Sequence, residues 1–223
     1  MTRVHDMGGR FGDGPVQPGP EPVFKYDWHA RALAVTLAAG ALGQWSIDRS
    51  RHTRECLSPG DYARFSYFEK WISALADMLV DQGIVTREEL ASGQAAGRSP
   101  LAERALAAED VAGVLARGGP SDRATQQAPR FAVGDAVVTR RPARNLHVTG
   151  GHTRLPAYAA GVPGRIVHLH GAHVLPDTNA HGLGEAPEPL YTVVFDAADL
   201  WGAPERAGDE VTCDLWDSYL RPA

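Results

Sequence analysis

The chain has 223 residues, 43% hydrophobic and 22% charged, and a formal net charge of -5. Its length suffices for one or two buried cores, and its composition is that of a globular protein. Mild acidity without a basic stripe argues against a nucleic-acid partner. No run of about 18 apolar residues spans a membrane, and MTRVHDMGGRFGDGP has no apolar secretion core.

Residues 1–25 are dense in glycine and proline (Gly8, Gly9, Gly12, Gly14, Pro15, Pro18, Gly19, Pro20, Pro22), which predicts an extended arm that is disordered or wraps a partner. From Asp27 to about Leu42 apolar residues recur at helical spacing, with Ala30, Leu33, Ala34, Leu37 and Ala41 as the apolar face. Ser46 caps a second helix with Asp48 in its first turn, where a negative charge suits the helix dipole. Ser58-Pro59 opens a third. The clearest helix runs from Tyr67 to Gln82, with Trp71, Leu75, Met78 and Leu79 on one face and Gly83 as its stop. Thr86 and Glu89 form a capping box, and alanine-rich sequence to Arg117 suggests more helix.

Residues 118–129 (GGPSDRATQQAP) read as a linker, after which the period changes to that of strands. Phe131, Val133, Val137 and Thr139 alternate around Gly134-Asp135. Arg165–His170, Leu190–Phe195 and Glu210–Leu215 are further strands. Short strands between Gly/Pro turns predict a small antiparallel barrel, and Phe-x-Val-Gly-Asp-x-Val resembles the opening of an SH3-like one. The fold class expected is α+β: an arm (1–25), a helical domain (26–117), a linker (118–129) and an SH3-like β-barrel domain (130–223).

Two cysteines, Cys56 and Cys213, stand far apart. They support no disulfide framework, fit a reducing cytoplasm, and cannot form a cysteine ligand cluster. Both read as buried or half-buried small hydrophobes, with no histidine constellation beside Cys56 to activate it. His168 and His170 share a strand face and, with His173, offer metal-ligand chemistry; a turn histidine more often serves a backbone hydrogen bond. The glycines from Gly8 to Gly14 follow no strand and open no helix, so a phosphate loop is not expected.

Several segments, in order along nearly the whole chain, resemble nitrile hydratase β subunits. They are Val4-His-Asp-Met-Gly-Gly9, Glu21-Pro-Val-Phe24 with Trp28, Ser46-Ile-Asp-x-x-Arg51 and Ser66-Tyr-Phe-Glu69. The C-terminal half adds Gly151-His-Thr-Arg-Leu-Pro-Ala-Tyr158, His170-Gly-Ala-His173, Pro176-Asp177, Gly182-Leu-Gly-Glu185, Leu190-Tyr-Thr-Val193 and Leu200-Trp-Gly202. The resemblance implies hydration of a small nitrile to an amide at a low-spin cobalt(III), alternatively iron(III), centre. In the family a C-T-L-C-S-C cluster on the α subunit holds that metal, so this chain would bind no cofactor itself. Two of those cysteines are oxidised to sulfinate and sulfenate, and αβ pairs often join as (αβ)2.

The resemblance aligns Arg51 and Arg154 with the two β-subunit arginines that hydrogen-bond the oxidised cysteine oxygens. A planar guanidinium with five fixed donors suits such anionic acceptors better than lysine. Without the resemblance each is an ordinary solvated charge, and Arg49 and Arg54 are decoys near Arg51. Tyr67 matches a tyrosine lining the substrate pocket, its alternative being core packing. Ile47 and Thr36 fall where relatives place larger pocket-lining groups, and Phe68 stands where the family often has a second tyrosine. His152 is expected to brace the Arg154 loop. Two other readings stay open: an activator-like assembly protein, which would lack the barrel segments, and a thiocyanate hydrolase-like subunit, whose corresponding regions are divided between chains.

Overall fold

The computed structural model describes residues 4–6, 15, 18–203 and 206–223. Most of the expected arm, with its run of glycines from Gly8 to Gly14, lies outside them. Two compact units account for the chain, one containing Pro120–Ala223 with Asp6, the other the helical segments up to Gly119 with His5.

In the helical unit, α1 (Asp27–Ala41), α2 (Ile47–Glu55), α3 (Pro59–Arg64), α4 (Tyr67–Asp81) and α5 (Arg87–Ser92) begin where the sequence signals place them. Ser46 accepts from the Arg49 N–H at 3.2 Å and Ser58 from the Asp61 N–H at 3.1 Å. Glu69 and Glu89 reach back to the N–H groups of Ser66 and Thr86, at 2.7 and 2.8 Å. Each contact satisfies a donor that the first helical turn leaves without an intrahelical partner. Beyond α5 the alanine-rich stretch is mostly irregular, with 3-10 turns at Ala102–Arg104 and Ala108–Asp110 before α6 (Val111–Arg117).

Helices α1 and α2 both pack against α4. The small core joins Ala39, Leu75 and Met78, with Trp45 and Leu79 against it. The helix spans the expected residues, and its buried edge is His29, Ala32 and Ala39, while Ala34, Leu37 and Ala41 of the helical spacing are exposed. The helix is apolar on more than one side, and its contact is chosen by small Ala32 and Ala39 and by the His29 ring, 4.6 Å from that of Phe68.

The second unit is built on five antiparallel strands: β1 (Ala136–Thr139), β2 (Pro163–His173), β3 (Glu188–Asp196), β4 (Glu210–Trp216) and β5 (Leu220–Pro222). Their order is β4-β3-β2-β1-β5, and among the described residues the sheet is open, without pairing between β4 and β5. Strand β5 escapes the sequence reading. It has three residues and pairs only with β1, an edge position that tolerates Pro222. Val137, Ile166, Tyr191, Val193, Phe195, Leu215 and Tyr219 form the core. Gly164 is required there: a Cβ would sit 2.7 Å from Val193 Cγ1 and 2.9 Å from the Phe195 ring.

Residues 120–130 are tied to this unit. Asp122 bridges His173, Arg123 forms a bidentate pair with Glu185 at 2.8 Å, and Arg130 reaches the buried Asp217 carboxylate at 2.5 Å. Asp217 also accepts from the Tyr191 hydroxyl at 2.9 Å. No helix among the described residues is long and apolar enough to cross a membrane.

Candidate functional site

Arg51 projects from α2 one turn after Asp48, and its Nη1 donates to Asp48 Oδ1 at 2.8 Å. Asp48 is buried while the Arg51 side chain is about a third exposed, so the carboxylate steers the guanidinium without covering it. Arg54 is used internally. It donates to Ser50 Oγ at 2.9 Å and stacks its guanidinium over the Trp71 ring at 4.7 Å. Burial lowers its pKa, with the neighbouring Arg51 charge adding to the effect. The decoy is therefore spent on packing α2 against α4.

Tyr67 is the first residue of α4 and is 63% exposed, which rules out core packing within the unit. Its ring lies edge-on to Phe68 and 5.4 Å from Trp71. Ile47, the first residue of α2, is also 63% exposed. Thr36 is half-buried on α1, its hydroxyl donating to the Ala32 carbonyl at 2.7 Å. Arg51, Tyr67 and Ile47 thus present polar and apolar groups from the ends and flank of two packed helices.

Arg154 belongs to the sheet unit, on the loop between β1 and β2. Its side chain is exposed, and among the described residues its guanidinium makes no ion pair or hydrogen bond. The backbone around it is fixed. His152 and Leu155 are each 1% exposed, and the Arg154 N–H donates to the Tyr219 hydroxyl at 3.1 Å. The Tyr219 O–H donates to Asp177, and the Arg140 guanidinium lies 3.5 Å from Asp177 and 4.7 Å over the Tyr219 ring. Asn145 donates to the carbonyls of His152 and Asp177 at 2.6 and 2.7 Å and accepts from the N–H groups of His147 and Val148. Burial pushes both the Tyr219 phenol and the Asp177 carboxyl up, holding the tyrosine protonated. The His152 N–H donates to His181 Nε2 at 3.0 Å. Tyr219, Arg140, Asn145 and His181, drawn from distant parts of the sequence, are what sequence reasoning missed. The Pro176-Asp177 motif and His152, expected to brace this loop, were the visible traces.

The histidines of β2 form a surface cluster. His168 and His170 rings lie 4.5 Å apart, and His170 Nε2 is 2.7 Å from Thr192 Oγ1 and 3.4 Å from Asp214. His173 is farther, 6.4 Å from His170. Among the described residues no group of three or more His, Cys, Asp or Glu is arranged to hold a metal ion.

Cys213 is half-buried as expected, but Cys56 is exposed, and a histidine does accompany it. Its sulfur is 3.5 Å from His52 Nε2, four residues earlier on α2, an i, i+4 pairing already legible in the sequence. The Cys56 sulfur first, then the Glu55 carboxylate 3.7 Å away, raise the His52 pKa to about 9. Iodoacetamide is expected to label Cys56 well before Cys213, whose thiol burial pushes up. Peptide mapping of a time course checks the order; equal rates would contradict this exposure.

The comparisons with known proteins agree along the chain. Residues 1–113 match the model of the nitrile hydratase beta subunit N-terminal region, and 120–222 that of its C-terminal region. The low-molecular weight cobalt-containing nitrile hydratase subunit beta of Rhodococcus rhodochrous is 36% identical over 230 residues, covering 100% of both chains. The nitrile hydratase subunit beta of Pseudomonas putida is 36% identical over 232 residues, again across 100% of both chains. The cobalt-containing subunit of Pseudonocardia thermophila is 34% identical, across 99% of this chain and 96% of its own. A solved structure of thiocyanate hydrolase from Thiobacillus thioparus, a recombinant apo-enzyme, is similar over 43% of this chain and 78% of its own, with 30% identity and a TM-score of 0.38. A helical unit joined to an antiparallel sheet unit, matched in both halves, makes this a subunit of a nitrile-hydrating lyase. The chain belongs to the nitrile hydratase β-subunit family.

Proposed function

We propose that this chain completes the active site of an α-subunit partner and presents Arg154 and Arg51 to the oxidised cysteine oxygens of the partner's metal centre. The observation that carries the reading is Arg154: an exposed guanidinium without an acceptor among the described residues, on a loop whose backbone is fixed by buried hydrogen bonds. A surface charge of no consequence does not require such anchoring. Arg51 is the second donor. Of its five N–H groups Asp48 engages one, leaving others for an external anionic acceptor. Tyr67, Ile47 and Thr36 line the side that receives a small nitrile, Tyr67 orienting it or the attacking water through its hydroxyl.

The metal, cobalt(III) in preference to iron(III) because relatives are named cobalt-containing, supplies Lewis-acid activation when bound by the partner. This chain contributes donors that hold anionic oxygens in place. The strand order and the 3-10 turn Asp217–Tyr219 between β4 and β5 support an SH3-like reading of residues 130–223, with 26–117 as helical domain and 118–129 as connection. The two cysteines form no disulfide, which supports a cytoplasmic location, and an (αβ)2 assembly is part of the proposal.

The purified chain alone is expected to hydrate no nitrile and to bind no stoichiometric cobalt or iron, whereas reconstitution with the α subunit restores both. Amide formation and metal analysis on the two preparations check this. Robust hydration by the chain alone would sink the division of labour.

A further inference from the structure

Resting on the reading of Arg154 given above, we propose that Tyr219 is a positioning residue for it. The Tyr219 hydroxyl, oriented by Asp177, holds the Arg154 backbone N–H and thereby fixes where the exposed guanidinium projects. A phenol carries a single proton. Here that proton goes to Asp177 Oδ1, so the same oxygen offers its lone pairs to the Arg154 N–H, 3.1 Å away. The polarity is enforced from behind. Asp177 is 2% exposed, faces the Arg140 guanidinium, and through its carbonyl accepts from Asn145.

Tyr219 is 0% exposed and sits in the 3-10 turn that leads from β4 into β5, so the clamp ties the loop to the sheet core. Its leverage is geometric. The arginine tip lies about 6 Å from its Cα, so a backbone tilt of about 10° moves the guanidinium by about 1 Å, a displacement that costs catalytic sites roughly 100-fold. A tyrosine that touches no substrate can therefore set the rate.

The test uses the assembled αβ complex and five forms: wild type, Tyr219→Phe, Tyr191→Phe, Arg154→Lys and the double variant Tyr219→Phe/Arg154→Lys. Tyr191 is the matched control, an equally buried tyrosine whose hydroxyl donates to Asp217 instead. Both phenylalanine variants lose one buried hydroxyl and are expected to lose similar thermal stability. Only Tyr219→Phe should raise the hydrogen-exchange rate of the Arg154 amide, by about tenfold. It should also lower kcat by roughly ten- to 100-fold with little change in KM. Added to Arg154→Lys, it should lower kcat no further.

If Tyr219→Phe matches Tyr191→Phe in both exchange and kcat while Arg154→Lys is impaired, the positioning role fails alone. If Arg154→Lys turns over normally, the reading of Arg154 itself fails. Should Tyr219→Phe not assemble, the wild-type complex decides: an Arg154 amide exchanging at the rate of a free loop overturns the clamp, and a slow one supports it.

Discussion

Arg154→Lys, in the chain assembled with its α subunit, is expected to lower kcat by roughly 10²- to 10³-fold, the range measured when one preorganised donor to a developing or fixed anion is removed. The loss should come from geometry, since lysine keeps the positive charge. An ammonium offers a compact point charge on a flexible stem, whereas a guanidinium holds two oxygens with parallel donors. Stability should hardly move, within about 0.5 kcal/mol, because the side chain is exposed and its guanidinium makes no ion pair or hydrogen bond among the described residues. That separation makes the experiment decisive. Steady-state kinetics on a nitrile, co-elution of the subunits and a melting curve together distinguish a lost donor from a lost fold, and normal turnover would end the proposed role. Arg51→Lys is a harsher perturbation structurally, because the Asp48 carboxylate beneath it is buried and loses its guanidinium partner.

How much of this was legible in the sequence depends on how local each feature is. The helix starts were readable because a cap and its partner lie three residues apart: Ser46 with Arg49, Ser58 with Asp61, Thr86 with Glu89. Strands β2, β3 and β4 were readable because their alternation falls within a few residues. What escaped was tertiary. Nothing local tells that Arg54 is consumed by Trp71 of another helix, leaving Arg51 to face outward. Nor does the spacing tell which edge α1 buries, because alanines and leucines lie on more than one side of the helix and only its packing on α4 selects His29, Ala32 and Ala39. Likewise, whether β4 and β5 close the sheet into a barrel depends on backbone pairing that no residue pattern encodes, and the described sheet is open. The candidate site was legible only as side chains on recognisable motifs, Arg154, Tyr67 and Ile47 exposed and Arg51 and Thr36 half-buried. Its support was not, because Tyr219 lies 65 residues from the Arg154 N–H it accepts from.

Gly151→Ala tests that hidden support from the opposite side of the loop. A Cβ on Gly151 would lie 2.7 Å from His181 Nε2, 2.8 Å from Asn145 Nδ2 and 2.9 Å from Val148 Cβ. None of these can retreat without cost. The Asn145 amide is pinned between two carbonyls at 2.6 and 2.7 Å, and the His181 nitrogen accepts the His152 N–H at 3.0 Å. Relief therefore means overpacking, at about 1–3 kcal/mol, or breaking a buried hydrogen bond, at about 1–3 kcal/mol for the group left unsatisfied. Either cost, about 1–3 kcal/mol, corresponds for a unit of this size to a melting point lower by roughly 5–20 °C. Gly119→Ala is the comparison, since nothing lies within 4 Å of a Cβ there and the backbone accepts it. Both variants remove one glycine, so the unfolded-state effect is shared, and the difference between their melting curves measures packing around the Arg154 loop. Equal melting points would show that the loop is not held as tightly as these contacts require. A large difference, accompanied by a fall in kcat of the surviving complex, would tie the rigidity of residues 145–155 directly to the placement of Arg154.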